Sequence, residues 1–567
     1  MINKKRVFVF LVVFVFWAAT MASSPPQTKV KPGQAKIQQK TDLKVDRLLR
    51  PKIIMERKAL ESPAGMKIFE TQALSLPKES IQKLVKQHNI VSAPVSLRIG
   101  AFSMENYQDT EKKFPRLLTN RERGHVILLP HLEKMAKLRI DLLDKNAAMI
   151  KAREHVNALQ LIPKDDSAIA AKEVITLNKA DLKQGQTAVR KSVLQSVVFR
   201  RSVGGKLVRG KGSQLVMDLG HGGELVGLNR TWNKLQASAL KPEFRTAGEV
   251  YDDIEKSLLD NFRGAVTIQV HTPSLLYFGD DRRYVQPAYS FTAEITSSNA
   301  VGKAYYEGVV TALKNPPEAV LLPKVRDELP QNGGKGEASP LPENSAIAEN
   351  DPTVGRYVVR DDSWDWVDDA RDFKLGLMTF HLPGMTITFG DYLWNEPRFS
   401  TTQENSFVDK WNITLIEGHG NNWLFTTAGN CCDVVNLNSS QPPYGNRPGS
   451  SMRYLILKGC DIIPSPQDRT DWPNPWWGIF KGLRQAIGFR TSMWINDNIS
   501  LPFAIFLGLG GRILDSWFAA CNGNGYHDGN MGYGCIVMIP GHESDTIYMT
   551  SAAPPATETG LTVWWQY

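Results

Sequence analysis

Cysteine is scarce in this chain and absent from its first three quarters. The 567 residues include five cysteines, and these are Cys431, Cys432, Cys460, Cys521 and Cys535. So few cysteines exclude a small scaffold held together by disulfides. Cys521 and Cys535 flank a loop rich in Gly and Asn that a disulfide could close. Because five is an odd number, at least one thiol stays unpaired, and we expect it to be Cys460.

Motifs for metals and phosphates are also missing. The ten histidines are scattered, and the chain has no His-Glu-x-x-His and no Cys-x-x-Cys sequence. No Gly-rich phosphate loop follows a predicted strand either. The sequence therefore predicts neither a metal site nor a cofactor.

Long apolar runs are limited to the N-terminus. Residues 7–19 are apolar, follow the basic residues Lys4, Lys5 and Arg6, and precede a small-residue cleavage site at Ala22. This run is too short for a typical membrane-spanning helix. We therefore expect a signal peptide over residues 1–22, a secreted or periplasmic product, and no stable membrane anchor after cleavage.

Charge is divided unevenly along the chain. Residues 354–567 contain 14 Lys and Arg against 21 Asp and Glu, so the other residues contain 53 against 37 of the totals of 67 and 58. No basic stripe or nucleic-acid-binding motif is present, so we expect no nucleic-acid partner. The opposite charges either dock the two halves on each other or belong to two independently solvated surfaces.

Composition and hydrophobic patterning divide the chain into six regions. They are the signal peptide (1–22), a flexible leader (23–60), a poorly defined α/β segment (61–145), an α+β region (146–314), a linker (315–353) and an α/β domain (354–567). The linker is interrupted by Pro and Gly residues. Twelve of the 14 tryptophans follow residue 360. This shift in composition places a domain boundary at the linker.

The N-terminal half predicts helices packed on antiparallel sheets. Predicted helices cover 132–143, 147–161 and 248–259, and predicted strands cover 124–130, 197–201, 213–219, 224–228, 266–277 and 284–295. The Gly-containing stretch Phe199–Ser213 resembles PepSY-like and thermolysin-propeptide-like modules. That resemblance implies a prodomain-type region over 146–314.

The C-terminal half predicts a mostly parallel sheet covered by helices. Predicted buried strands cover 373–382, 413–418, 454–459 and 487–495, and predicted helices cover 476–486 and 501–520. Strands that alternate with helices are typical of such α/β sheets.

Two of these strands end at reactive side chains. The run from Ile413 stops at Gly418-His419-Gly420, and the run from Tyr454 stops at Gly459-Cys460. In open α/β sheets, sites lie beyond the carboxyl ends of the strands. A thiol beside an imidazole is the minimal pair for a cysteine nucleophile. The alternatives are a buried structural cysteine and a turn histidine that bonds the backbone.

These residues resemble caspase-like (clan CD) cysteine peptidases. The run Gly482–Asp497 is similar to the region that follows the cysteine in CHAT-type relatives. Glu417-Gly-His-Gly420 and Cys460-Asp-Ile-Ile-Pro464 also resemble motifs of an uncharacterised bacterial family. The resemblance implies a caspase-like fold, His419 as general base, Cys460 as nucleophile, and the N–H groups of Gly420 and Cys460 as an oxyanion hole.

Four nearby residues complete the predicted site. We expect Asn421, Asn422, Asp461 and Asp497 to contact substrate. A carboxylate at Asp461, next to the sulfur, disfavours the thiolate unless its side chain turns away.

Two functional hypotheses follow. One is an exported cysteine peptidase that cleaves a peptide or protein substrate and is inhibited by intramolecular docking of its basic N-terminal prodomain until the linker is cut. The alternative is an inactive caspase-fold protein that binds peptide or glycan through a Trp-rich surface. That surface would comprise Trp364, Trp366, Trp472, Trp476 and Trp477.

Overall fold

The computed structural model describes residues 50–567 except 75, 92, 100–101, 112–113, 121–122, 166, 265, 281–282, 298–301, 321–350, 360–361, 394–406, 427–433, 447–451 and 524–530. The predicted signal peptide, most of the predicted leader and most of the predicted linker lie outside the described residues. All described residues fall within one compact unit.

The described residues form strands and helices with the following bounds. The strands are β1 (Lys52–Met55), β2 (Phe69–Gln72), β3 (Val95–Ile99), β4 (Phe102–Gln108), β5 (Pro115–Asn120), β6 (His125–Leu128), β7 (Ser167–Leu182), β8 (Val189–Val203), β9 (Lys206–Arg209), β10 (Ser213–Leu219), β11 (Leu225–Trp232), β12 (Lys234–Ala237), β13 (Val266–Val270), β14 (Ser274–Phe278), β15 (Tyr284–Ser297), β16 (Ala304–Thr311), β17 (Thr353–Val358), β18 (Thr388–Leu393), β19 (Ile413–Glu417), β20 (Gly420–Asn421), β21 (Leu424–Thr426), β22 (Val434–Asn436), β23 (Tyr454–Lys458), β24 (Gln485–Phe489), β25 (Gly534–Met538) and β26 (Leu561–Gln566). The helices are α1 (Lys78–Gln87), α2 (Leu132–Ala136), α3 (Lys145–Ala158), α4 (Ala247–Asn261), α5 (Trp364–Thr379), α6 (Leu437–Ser440), α7 (Asn474–Ile479), α8 (Ser500–Gly508), α9 (Ile513–Asn522) and α10 (Ala556–Thr559).

The N-terminal half consists of antiparallel strands with helices against them, as predicted. Strands β7, β8, β10, β11, β6 and β5 pair in that spatial order, and helix α3 packs on β7, β8 and β10. A second group contains β13, β15, β14 and β16 with helix α4 beside β16. Thr246 begins α4 with a reciprocal capping box to Glu249, which satisfies N–H groups at its first turn.

Several predicted bounds in the N-terminal half were wrong. The strand predicted over 266–277 is divided into β13 and β14, and the helix predicted over 132–143 ends at Ala136. Residues Lys52–Met55, predicted to be flexible, form β1 and pair in parallel with β13. Their side chains alternate between exposed and half-buried, which is the period of a strand.

The C-terminal half contains the predicted parallel sheet. Strands β18, β17, β19, β23 and β24 are parallel neighbours in that spatial order, and β25 and β26 continue the sheet antiparallel. Strand β26 also pairs with β7, from Leu561 opposite Leu182 to Gln566 opposite Leu177. One large mixed sheet therefore joins the two halves of the chain.

The C-terminal helices correct three predictions. The strand predicted over 373–382 is wrong, because α5 occupies 364–379. Its buried residues, Trp366, Ala370, Phe373 and Leu377, recur every three or four positions, as on one face of a helix. The helix predicted over 501–520 is two helices separated at Gly510, whose φ is 82°. The helix predicted over 476–486 ends at Ile479, and β24 begins at Gln485 and ends before the predicted limit at 495.

Within the described residues, the helices are too short or too polar to span a bilayer.

Candidate active site

The site lies where the order of the parallel strands reverses. From β17 the chain passes through α5 to β18 on one side, and β19 then pairs on the other side of β17. Such a reversal opens a crevice at the carboxyl ends of the strands. Asp362 follows the end of β17, His419 follows β19, and Cys460 follows β23. Three residues with reactive or ionisable side chains therefore lie at one edge of the sheet.

Asp362 holds the imidazole of His419. The Nε2 atom of His419 lies 2.8 Å from Oδ2 of Asp362, and both side chains are buried. The indole Nε1–H of Trp366 donates to Oδ1 of the same carboxylate at 3.2 Å, and the Trp366 ring stands edge-on to the imidazole at 5.7 Å. The main-chain N–H of Arg263 donates to the carbonyl of Asp362 at 3.1 Å. These contacts orient His419 from two sides.

Asp362 is not among the site residues predicted from the sequence. The signal available was the acidic pair Asp361-Asp362 shortly after the apolar residues Val358 and Val359. Strand β17, which precedes Asp362, is not among the strands predicted from the sequence.

One nitrogen of His419 is available as a base. Because a carboxylate only accepts hydrogen bonds, Asp362 places the proton on Nε2 and leaves the lone pair on Nδ1. This Nδ1 atom is buried and has no hydrogen-bond partner among the described residues. An imidazole held through one nitrogen, with the other free to accept a proton, has the chemistry of a general base.

The sulfur of Cys460 is held by the main chain of Met493. It accepts from the N–H of Met493 at 3.4 Å and lies 3.7 Å from the Met493 carbonyl oxygen. Burial raises the pKa of the thiol to about 12; the Met493 N–H opposes this shift, and the charge of Asp461 adds to it. Since Nδ1 of His419 has no partner, it is not hydrogen bonded to the thiol in this conformation.

Glycines let the strand ends carrying His419 and Cys460 approach closely. The N–H of Gly418 donates to the carbonyl of Lys458 at 3.2 Å. A Cβ added to Gly459 would lie 3.0 Å from the Gly418 carbonyl oxygen, and one added to Gly420 would lie 3.1 Å from the Cys460 carbonyl oxygen. Gly420 is also the first residue of β20, which pairs antiparallel with β21. Side chains at these glycines would push the two site residues apart.

Three of the predicted substrate-contacting residues lie together beside Cys460. Asn421, Asn422 and Asp461 are half-buried, and the Asn422 N–H donates to the Asp461 carbonyl at 2.8 Å. Ser492 holds the Asp461 carboxylate at 3.0 Å. Asn422 and Asp461 have φ values of 37° and 52°, a left-handed conformation that Asn and Asp tolerate better than most residues. They form a tight turn contact next to Cys460.

Asp497, the fourth residue predicted to contact substrate, is buried and bound to Lys458. Its Oδ1 lies 3.1 Å from Nζ of Lys458 and accepts from the N–H of Ile499 at 2.9 Å. Lys458 also contacts Asp369 and Ser500, and its Nζ is 4.0 Å from Glu417. Asp497 is therefore buried in an ion cluster beneath the strand ends.

A single cation cannot neutralise the carboxylates of this cluster. Burial raises the pKa of Glu417 to about 8 and raises the pKa of Asp369 well above its ordinary value. Burial lowers the pKa of Lys458, but the surrounding carboxylates outweigh it, so the net shift is upward and the ammonium stays charged. Among the described residues, no group of three or more His, Cys, Asp or Glu could hold a metal ion.

Two further predictions were wrong. Cys521 and Cys535 are buried thiols that are not joined to each other, and Cys431 and Cys432 lie outside the described residues. The five-residue Trp surface is not formed, because Trp366, Trp472 and Trp476 are buried. Trp364 and Trp477 are half-buried. The aromatic side chains serve the core.

A family described as a domain of unknown function, DUF6345, matches residues 390–545. The matched segment includes both His419 and Cys460. No curated protein matches the chain. Among solved structures, an uncharacterized protein from Eubacterium rectale is similar over 44% of this chain and 84% of its own, with 10% identity and a TM-score of 0.28.

Proposed function

We propose that this chain is a cysteine peptidase in which Cys460 is the nucleophile, His419 the general base and Asp362 the residue that positions the base. The observation that carries this proposal is the buried Asp362–His419 pair, with an unpartnered Nδ1 atom, beside the strand end that bears Cys460. The caspase-like resemblance of the two motifs supports the same assignment.

The reaction would proceed by acyl transfer. Nδ1 of His419 takes the proton of the Cys460 thiol, and the sulfur electron pair forms a bond to the carbonyl carbon of the substrate. The carbonyl electron pair moves to oxygen, where the N–H groups of Gly420 and Cys460 would stabilise it. On collapse the C–N bond breaks and His419 gives its proton to the leaving amine. Water then hydrolyses the thioester and restores the thiol.

Export and a prodomain role for the N-terminal half belong to the same proposal. Export rests on the signal-like residues 1–22, and the prodomain role rests on the PepSY-like resemblance of 146–314. The joining of β7 to β26 means that the N-terminal half is also part of the framework that supports the catalytic sheet.

The test is cleavage of an unstructured peptide mixture by the full chain, with new N-termini identified by mass spectrometry. Cleavage that disappears in both Cys460→Ser and His419→Ala supports the proposal. Cleavage that survives Cys460→Ser, or is absent in every chain while Cys460 alkylates readily, excludes it.

A further inference from the structure

The end of helix α4, in the N-terminal half, pairs with the turn that carries Asp362. Phe262 and Ser363 form an antiparallel bridge. Beside this bridge, the main-chain N–H of Arg263 donates to the Asp362 carbonyl at 3.1 Å. Two consecutive residues of the N-terminal half are therefore bonded through the main chain to the residue that holds His419 and to the residue after it.

The side chain of Asn261 extends this contact to helix α5. Its Nδ2 donates to Oδ2 of Asp365 at 2.7 Å, and both residues are buried. The hydroxyl of Ser363 donates to the same carboxylate oxygen at 3.1 Å and accepts from the Asp365 N–H at 3.2 Å. Ser363 is thus the N-cap residue of α5. Asn261 anchors this capped first turn to the N-terminal half.

The first turn of α5 leads directly to the imidazole. Trp366 follows Asp365, donates from Nε1 to Oδ1 of Asp362 at 3.2 Å, and stands edge-on to the His419 ring. An anchor on Asp365 therefore also limits the movement of Trp366. Asn261 acts on His419 through this path, and Arg263 acts on it through the Asp362 carbonyl.

The residues that make these contacts are themselves fixed in place. Phe262 is buried, and its ring packs edge-on to Tyr306 of β16 with the centroids 5.3 Å apart. The Arg263 guanidinium lies 4.4 Å from the centroid of the Trp364 ring, a cation–π contact with the first residue of α5. The core of the N-terminal half therefore holds the end of α4 against the turn at Asp362.

We propose that Asn261 and Arg263 are positioning residues of the active site: through the first turn of α5 and the carbonyl of Asp362, they hold the carboxylate that orients His419. The N-terminal half is then a permanent part of the active enzyme, and it stays bound if the linker is cut. This inference rests on the proposed function, since it concerns the same base and its positioning carboxylate.

The position of Asp362 matters because it selects the tautomer of His419. When the carboxylate accepts from Nε2, the lone pair is on Nδ1, where it can take a proton from the thiol. A carboxylate that moves away allows the proton to occupy Nδ1, and that tautomer has no lone pair to offer the thiol. Misplacement of a site group by about 1 Å can reduce the rate by about 10²-fold.

A second buried amide joins the two halves at strands β8 and β10. Nδ2 of Asn522, the last residue of α9, donates to Oγ of Ser196 at 2.9 Å and to Oδ1 of Asp218 at 3.3 Å. Its Oδ1 accepts from Nε2 of Gln566 at 2.6 Å. Asn522 is as buried as Asn261. Asn522→Ala is therefore the matched control for the loss of a buried amide between the halves.

The test reads the tautomer of His419 from the ¹⁵N chemical shifts of its ring nitrogens in the histidine-labelled full chain. His419→Gln assigns the signals, and kcat and KM are measured on a peptide found by the cleavage test. In Asn261→Ala and Arg263→Ala we expect a mixture of tautomers and a kcat lower by about 10- to 100-fold, with KM changed by less than about twofold.

A rescue variant separates positioning from general stability. Asn261→Asp combined with Asp365→Asn exchanges the amide and the carboxylate, so the new amide can donate to the new carboxylate and still accept from Ser363. We expect this double variant to restore the single tautomer and most of kcat. Asn522→Ala should lower the free energy of unfolding but keep the wild-type tautomer and kcat.

The outcomes separate this inference from the proposed function. Mixed tautomers in Asn261→Ala, their reversal in the exchange variant and a normal tautomer in Asn522→Ala support the inference. It is overturned if Asn261→Ala or Arg263→Ala is folded by circular dichroism and keeps the wild-type tautomer and kcat, or if Asn522→Ala changes both as much. If Asn261→Ala changes the tautomer but the wild type cleaves no peptide, the positioning role stands and the peptidase proposal fails.

Discussion

The Nζ atom of Lys458 lies 3.1 Å from Oδ1 of Asp497, beneath the strand end that carries Cys460. Lys458 stands two residues before Cys460, and Asp497 lies three residues before Ser500, the first residue of α8. The ion pair therefore ties β23, and with it the position of Cys460, to the helix that packs on α5. Asp497 contributes to the site by holding its framework.

Replacing Lys458 with methionine should destabilise the protein strongly. The variant leaves the buried carboxylates of Asp369, Asp497 and Glu417 without their cation, and breaking a buried pair in this way typically costs about 3–5 kcal/mol. Urea unfolding followed by circular dichroism measures the loss. Lys256→Met, which removes an exposed pair with Asp260, should leave the free energy of unfolding nearly unchanged. Equal effects of the two substitutions would contradict the cluster's role.

Glu417 should make the protein less stable as pH rises. Its folded pKa of about 8 is above its ordinary value of 4.5, so the folded state holds this proton more tightly than the unfolded state does. The contribution of Glu417 to stability is complete below about pH 4.5 and is lost as pH rises through about 8. Neither carboxylate oxygen has a hydrogen-bond partner among the described residues.

Glu417→Gln tests this dependence, because the amide is neutral at every pH used. We expect its Tm to exceed that of the wild type at pH 9 and to approach the wild-type value near pH 5. The difference at high pH should correspond to about 1 kcal/mol or more in unfolding free energy. Parallel Tm curves for the two proteins across this range would rule out the buried proton.

Asp362→Asn should impair catalysis without unfolding the chain. The amide cannot stabilise the imidazolium and can present its N–H₂ to Nε2, which favours the wrong tautomer of His419. We expect kcat to fall by about 10²- to 10⁴-fold with little change in KM. Asp368→Asn is the control. Asp368 lies on helix α5, six residues after Asp362, and pairs with Arg371, so this variant should keep the wild-type kcat. A kcat unchanged in Asp362→Asn would remove Asp362 from the mechanism.

Gly355→Ala should destabilise the parallel sheet. A Cβ at Gly355 would lie 2.2 Å from Cδ1 of the buried Trp411, so the indole or the strand must shift. Overpacking of this kind costs about 1–3 kcal/mol. Gly248→Ala is the control, since Gly248 is an exposed helical residue whose added Cβ meets nothing closer than 3.9 Å. The Gly248→Ala substitution should stabilise the protein slightly, because alanine favours the helix. Thermal melts compare the Tm of each variant with that of the wild type.

The local pattern of apolar residues and glycine predicted two of the central strands correctly. The apolar runs before His419 and Cys460 form β19 and β23, because short runs bounded by glycine favour buried strands. The same reasoning misassigned 373–382, where a short apolar stretch belongs to the buried face of α5. A short apolar run cannot by itself distinguish a buried strand from a helix face.

The uneven distribution of charge along the sequence did not predict how the N-terminal and C-terminal halves contact each other. The junction is a strand ladder supplemented by hydrogen bonds, such as that from Tyr533 to Glu173 at 2.6 Å. The ion pairs across this junction do not follow the net charges of the two halves. Lys179 of the basic half pairs with Glu543, but Asp109 of that same half pairs with Arg512. Main-chain pairing does not depend on side-chain charge, so net charge could not reveal it.

The sequence by itself determined which residues end the two central strands, and so placed His419 and Cys460 at one edge of a parallel sheet. Only the tertiary structure decided that Asp362, 57 positions before His419, holds the imidazole, and that Asp497 binds Lys458. Strand endings follow from the local pattern of apolar residues and glycine. Contacts between distant segments follow from strand order and packing, which no local pattern records.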